Sequence, residues 1–316
     1  MMLGFTVTQS IGAAVHLGLP DLVSERPRPA EDLARAADAD PDAVYRLLRT
    51  LASLGIFAEE DGIICHTTMS ELLCSGAPGS LAPQSLVFSG VHYRTWGAGL
   101  EAFQTGEAAF PKVYGAVFFE WLAAHPGEAS AFNAAMAAGA AVRGARLLDR
   151  DWSRASTVVD VGGGTGAALI RLLIQTPGLV GTVFDLPRVR PEAVAAIEKA
   201  GLADRCRFQG GDFFTDVPSG ADVYILSSIL HDWDDAAAST ILATLRRAMT
   251  PLARLVLLER VVEPGNQPDQ GKLLDLHMLM VLGGKERSAT EWRDLLAHAG
   301  FEVTTIEAGL VEARPV

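Results

Sequence analysis

A run of glycines directly behind an apolar strand constrains this chain more than any other feature. Val158-Val159-Asp160-Val161 leads into Gly162-Gly163-Gly164-Thr165-Gly166, and residues 167–174 then carry apolar side chains at helical spacing. Such a loop turns tightly and brings bare backbone amides up to a ligand at a helix N-terminus. Strand-like runs at 157–161, 180–185, 205–208, 222–226 and 254–259 alternate with helical segments. That alternation predicts an α/β fold with a parallel, doubly wound sheet and its ligand at the carboxyl ends of the strands. Segments 301–306 and 310–313, hinged on Gly309, predict an antiparallel hairpin closing the sheet.

Upstream the texture differs. Residues 11–23, 30–37 and 41–54 are apolar at helical spacing, the last with Asp40 as N-cap, Pro41 at the first helical position and Gly55 beyond its end. Two short strand runs about the turn Glu59-Glu60-Asp61-Gly62 follow, completing the pattern of a winged helix. A DNA reader would use 41–54 as its recognition helix, yet Arg46 and Arg49 are the only basic residues there. A formal charge of −12 likewise argues against nucleic acid, which is bound by neutralising phosphates. Packing or dimerisation is the better use of this domain. The expected division is 1–90 for the winged helix, 91–150 for a helical linker or cap, and 151–316 for the Rossmann-like sheet. No apolar stretch reaches the length of a membrane span, and no leader segment is recognisable, so a cytoplasmic protein is expected. Cys65, Cys74 and Cys206 are odd in number and show no C-x-x-C spacing, which suggests neither disulfides nor zinc.

Which ligand the glycine loop serves is not settled by the loop alone, since Gly162, Gly164 and Ala167 also fit the dinucleotide spacing G-x-G-x-x-A. Asp160, two residues before Gly162, suits a ligand bearing an amino group and a sulfonium better than a pyrophosphate. Asp185 ends the second strand, where a carboxylate can hold a ribose diol in either case. Gly210-Gly211-Asp212-Phe213-Phe214 after the third strand offers an acid and an aromatic to an adenine ring. His231 follows the fourth strand beside Asp232 and Trp233, and Glu259 ends the fifth. Adjacent parallel strands place both at the ligand edge, where a carboxylate can orient an imidazole base. Asp234 and Asp235 read as N-cap residues of the next helix, not as metal ligands.

In this order, Asp160–Gly166, Phe184-Asp185-Leu186-Pro187, Gly211-Asp212-Phe213, His231-Asp232-Trp233 and Gly283-Gly284-Lys285-Glu286-Arg287 resemble the S-adenosylmethionine-dependent small-molecule O-methyltransferases. That family includes the plant caffeic acid and flavonoid enzymes and actinobacterial relatives acting on aromatic polyketides. The winged-helix start matches its dimerisation domain, so the resemblance spans nearly the whole chain. It implies S-adenosylmethionine as cofactor, S-adenosylhomocysteine as product, no metal, a homodimer and a small aromatic acceptor. By the same resemblance Asp160, Gly162, Gly164, Asp185, Leu186, Asp212, Phe213, Ser227 and Trp233 would surround the cofactor. His231 would be the base, flanked by Glu259 and Glu286, with Phe132, Met136, Asp232 and Met278 on the acceptor side. Ser227 departs from the plant members, many of which carry lysine there. Glu286 has a second reading, a surface pair with Lys285 or Arg287, and Phe132 and Met136 could be core residues at i,i+4 spacing. Some relatives decarboxylate, hydroxylate or catalyse pericyclic steps on the same fold; the His231, Glu259 and Glu286 set favours methyl transfer.

Overall fold

A computed structural model describes residues 2–316. They pack as two compact units interleaved in sequence, one running up to Gly97 and resuming at 122–138, the other 98–121 with 139–316. The three consecutive stretches read from the sequence are thus divided differently by packing. Residues 98–121 join the second unit because their helices lie on helix Gln270–Leu282, with Ala109 N donating to Met280 O at 2.9 Å.

In the first unit, helices Ala30–Ala36 and Pro41–Ser53 precede β2 (Phe57–Glu60) and β3 (Ile63–His66), with β1 (Arg28–Pro29) on the far edge of β3. Helix Pro41–Ser53 starts where the Asp40 carboxylate accepts from Ala43 N at 2.9 Å, and the chain leaves it through Gly55 at φ +76°. Leu33, Leu48, Leu51, Phe57 and Ile64 form its buried centre. Arg46 lies 3.8 Å from Asp42 and Arg49 sits over the Tyr45 ring, so neither is an isolated cation presented to a polyanion.

The second unit holds a seven-stranded sheet of β4 (Thr157–Val161), β5 (Val180–Asp185), β6 (Cys206–Gly210), β7 (Val223–Ser227), β8 (Arg254–Leu258), β9 (Phe301–Glu307) and β10 (Leu310–Pro315). Their order is β6-β5-β4-β7-β8-β10-β9; the first five are parallel and the terminal hairpin is antiparallel. Both faces are covered, which explains the unbroken apolar strands. Val159, Tyr224, Leu226, Leu255 and Leu257 enter one core, while Val158, Val223, Ile225, Val256 and Leu258 enter the other. Strand order reverses at β4 and β7, so the loops after them open side by side. No helix among the described residues is long and apolar enough to cross a membrane.

The register of β4 on β7 is fastened at its far end by one side chain. Asp222 Oδ2 accepts from Ser156 N at 2.8 Å, Thr157 N at 2.9 Å and Thr157 Oγ1 at 3.0 Å. These bonds hold the carboxyl below its usual range. Their contribution is present above the unfolded value of about 3.9 and is lost as pH falls through the lower folded value. Asp222→Ala should cost about 1–3 kcal/mol in urea unfolding at pH 7; an unchanged midpoint would contradict this role.

Candidate active site

Gly162 N donates to Phe184 O at 2.8 Å, so the loop after β4 is tied to the end of β5. Gly162 has φ +70°, and a Cβ there would come within 2.5 Å of Ile229 Cδ1. Only glycine serves at that crossing. Beneath the loop Asp160 is 1% exposed, and neither carboxylate oxygen has a hydrogen-bond partner. Burial and the neighbouring Asp185 raise it to about 7, opposed by Arg143. Asp185 receives Gly164 N at 2.7 Å and Leu186 N at 2.6 Å. Burial raises its pKa and the two amides oppose the rise. Asp212 is exposed and accepts from Phe214 N at 2.9 Å. Trp233 stands edge-on to Phe213 and Phe214, with centroids 6.2 and 4.8 Å away, and stacks on Phe119 at 6.2 Å.

From β7 the chain turns at Ser228, a non-glycine residue at φ +55°, into a short 3-10 turn, Leu230–Asp232. His231 Nδ1 lies 2.7 Å from Glu286 Oε1 and 3.9 Å from Glu259 Oε2, and its Nε2 lies 3.3 Å from Asp232 Oδ1. The direct partner of the ring is therefore Glu286, not the Glu259 that strand adjacency favoured. Glu259 Oε1 is taken by the amides of Ile229 at 2.9 Å and Leu230 at 2.8 Å, so this carboxylate fixes the turn and acts on the ring through its field. Burial raises Glu259 as well, with His231 opposing. For His231, burial pulls the pKa down, but Glu259, Asp232 and Glu286 outweigh it and lift the value to about 9. Asp232 is raised to about 7 by burial, with His231 opposing.

The surface-turn reading of Glu286 is replaced by a buried one, since Glu286 is 3% exposed and Lys285 turns instead to Glu291 at 2.7 Å and Asp235 at 3.6 Å. Its backbone N donates to Asp275 Oδ1 at 2.9 Å, which fixes the bend. Asp234 caps helix Asp235–Ala248 by accepting from Ala237 N. Arg143 was not singled out from sequence: its Nε donates to Ser227 Oγ at 3.2 Å, and it lies in the field of Glu259, Asp232 and Asp160. Arg143 thus brings a cation to Ser227 from the end of helix Pro126–Arg143. The only sequence signal was a basic residue ending an alanine-rich helix. Phe132 and Met136 belong to the first unit, Met136 being 37% exposed; Met278 is buried in the second. His231, Glu259 and Glu286 bring one donor atom each within 4.8 Å, a spacing a cation could share. The ring and Glu286 are already bonded and Glu259 Oε1 already takes two amides, while the buried Oε2 of each carboxylate has no hydrogen-bond partner.

A glycine loop over a buried carboxylate, beside an imidazole held by carboxylates at the same strand edge, is the arrangement of a ligand-binding α/β enzyme. An O-methyltransferase domain model matches residues 96–302, and an O-methyltransferase dimerisation domain model matches residues 1–76. The chain is 42% identical to the phenazine O-methyltransferase PhzM of Lysobacter antibioticus, covering 100% of this chain and 95% of that one. The crystal structure of LaPhzM matches with a TM-score of 0.95 at 42% identity, over 100% of this chain and 97% of the other. NcsB1, an O-methyltransferase from neocarzinostatin biosynthesis solved with S-adenosyl-L-homocysteine and 1,4-dihydroxy-2-naphthoic acid, matches at 0.84 and 31% identity, over 98% and 96%. The chain belongs to the O-methyltransferase family, and the first unit carries that family's dimerisation domain.

The carboxylates around His231 set its titration. In the ligand-free protein an NMR titration of the ring should show a midpoint well above 6.5, toward 9. Glu286→Gln should lower it by about one unit. Because the folded value is raised, the ring's contribution to stability is full below about 6.5 and is lost as pH rises through about 9. A wild-type midpoint at or below 6.5 would refute this electrostatic account.

Proposed function

We propose that this protein is a cytoplasmic, homodimeric S-adenosylmethionine-dependent O-methyltransferase that methylates a hydroxyl of a small aromatic natural product, with His231 as general base. The observation that carries the reading is the 2.7 Å contact between His231 Nδ1 and the buried Glu286 carboxylate, which makes Nε2, 3.3 Å from Asp232 Oδ1, the nitrogen for a substrate proton. The phenazine enzyme and the naphthoate complex support the aromatic acceptor class. Apolar Met2, Leu3 and Phe5, at 95%, 70% and 52% exposure in the dimerisation domain, support a second copy as partner.

The residues present fit the cofactor. Two buried carboxylate oxygens of Asp160 have no partner, and an ammonium would satisfy them at the bare loop. Asp185 and Leu186 would hold a ribose, Asp212, Phe213 and Trp233 an adenine, and Arg143 on Ser227 a carboxylate. When bound, S-adenosylmethionine supplies a methyl group activated by its sulfonium. A phenol with a pKa near 10 is mostly protonated at neutral pH, so a base beside it raises the reactive fraction. A carboxylate only accepts hydrogen bonds, so Glu286 fixes the neutral His231 ring with its proton on Nδ1. Nε2 then takes the hydroxyl proton, and Glu286 and Glu259 stabilise the imidazolium that forms. Asp232 and Met278 are the proposed acceptor-side residues of the second unit.

Cofactor identity is tested by calorimetry. S-adenosylhomocysteine should bind and NAD should not, and Asp185→Ala should weaken binding by about 1.5–3 kcal/mol, the scale for lost charge-assisted bonds. Tight NAD binding would overturn the assignment. For the chemistry, a panel of phenolic acceptors should gain one methyl by intact mass, with EDTA having no effect. His231→Gln should lower kcat about 10²–10⁴-fold while leaving cofactor affinity nearly unchanged. Wild-type kcat/KM should rise with pH as the free-enzyme imidazole loses its proton. Near-normal turnover by His231→Gln at neutral pH would remove His231 as the base.

A further inference from the structure

Three features of segment Gly283–Arg287 press on the turn that carries His231. Lys285 N donates to His231 O at 2.8 Å. Gly284 passes so close that a Cβ would fall 2.1 Å from His231 O and 2.5 Å from the Asp232 carbonyl carbon. Arg287, at 0% exposure, sends its guanidinium beneath the turn. Its Nη1 donates to Leu230 O at 2.9 Å and to Lys285 O at 3.2 Å, and its Nη2 to Trp233 O at 3.0 Å. Nε and Nη2 also meet Asp235 Oδ1, each at 2.9 Å. Four N–H donations from the fork are therefore made, beside the ion pair to Asp235, and two of them clasp carbonyls on either side of His231.

The guanidinium rests over the Trp292 ring at 5.3 Å, and Trp292 Nε1 donates to Arg260 O at 3.0 Å, directly after Glu259. Val262 N in turn donates to Arg287 O at 3.0 Å. Arg287 thus touches the chain on both sides of His231, follows Glu286 directly, and reaches the segment behind Glu259 through Trp292. The three groups come from separate loops, 28 and 27 residues apart along the chain, and one buried side chain joins those loops. A buried guanidinium is expensive unless every donor is met, so the fork enforces one geometry or none.

We infer that Arg287 is a positioning residue, the part that holds the His231 imidazole against Glu286. Its catalytic meaning rests on His231 being the base; the positioning itself does not. Lysine keeps the charge but offers three donors from a point, so it cannot span both Leu230 O and Trp233 O while reaching Asp235.

The test compares the full-length wild type with Arg287→Lys, in the ligand-free form and with a phenolic acceptor. The charged and titratable groups facing His231, namely Glu286, Glu259, Asp232 and Arg143, are the same in both. The His231 ring should titrate about one unit lower in Arg287→Lys as contact with Glu286 loosens. Its kcat should fall about 10–100-fold, with the cofactor KM within about two-fold. An unshifted His231 midpoint in a folded Arg287→Lys protein overturns the inference. A lowered midpoint with undiminished kcat upholds the positioning and instead refutes His231 as base. Should Arg287→Lys fail to fold, Trp292→Phe, which removes the Arg260 bond without changing charge, should lower the midpoint and kcat in the same sense by a smaller factor. A Trp292→Phe protein indistinguishable from wild type would then overturn the inference.

Discussion

The bond between His231 Nδ1 and Glu286 Oε1 is the interaction around which the catalytic half of the molecule is arranged. Both partners are buried, and two further carboxylates, Glu259 and Asp232, stand close by. Burying a carboxylate is costly unless it is hydrogen-bonded or paired. Two amides bind Glu259, the imidazole binds Glu286, and the Arg143 cation lies in the field of both Glu259 and Asp232. The surplus of negative charge makes the imidazole hold its proton tightly. Once it has released that proton, a ring under that field readily takes one from a phenol, because the imidazolium it becomes is the favoured form.

The same surplus extends toward the glycine loop, where Asp160 is buried without a hydrogen-bond partner and Asp185 adds to its burden. Such a site is built for a cationic guest. Its walls require small residues: Gly162 lets the loop cross Ile229, and Gly284 lets the Glu286 segment cross the His231 turn. The fold contributes the one thing these contacts cannot, which is the side-by-side opening of the loops after β4 and β7.

Much of this was legible in the sequence because it is local or set by strand order. The Asp160 to Gly166 loop follows its strand directly, and His231 and Glu259 follow neighbouring parallel strands. The helix caps at Asp40 and Asp234 depend on residues three positions away. What was not legible depends on distant contacts. Glu286, which the family resemblance but no spacing or topology set beside His231, meets it across 55 positions; Arg143 meets Ser227 across 84, and Arg287 meets Leu230 across 57. No periodicity or topology rule ranks Glu286 above Glu259 as the ring's partner. Glu259 looked better placed because it ends a strand, but the nearby amides of Ile229 and Leu230 claim its oxygen first. The packing of residues 98–121 with the sheet unit was hidden for a like reason, since it depends on a helix some 170 residues later.

The central claim is that the carboxylate-held imidazole removes the acceptor's proton, and the acidity of the acceptor probes it directly. Rates for wild type and His231→Gln should be compared at one pH across phenols whose pKa values run from about 10 down to about 6. A base matters only while the phenol is protonated. The wild-type advantage should therefore be largest for the weakest acids and shrink toward unity for phenols already ionised at the assay pH. An advantage independent of phenol pKa would contradict proton removal by His231 and assign the residue to alignment alone.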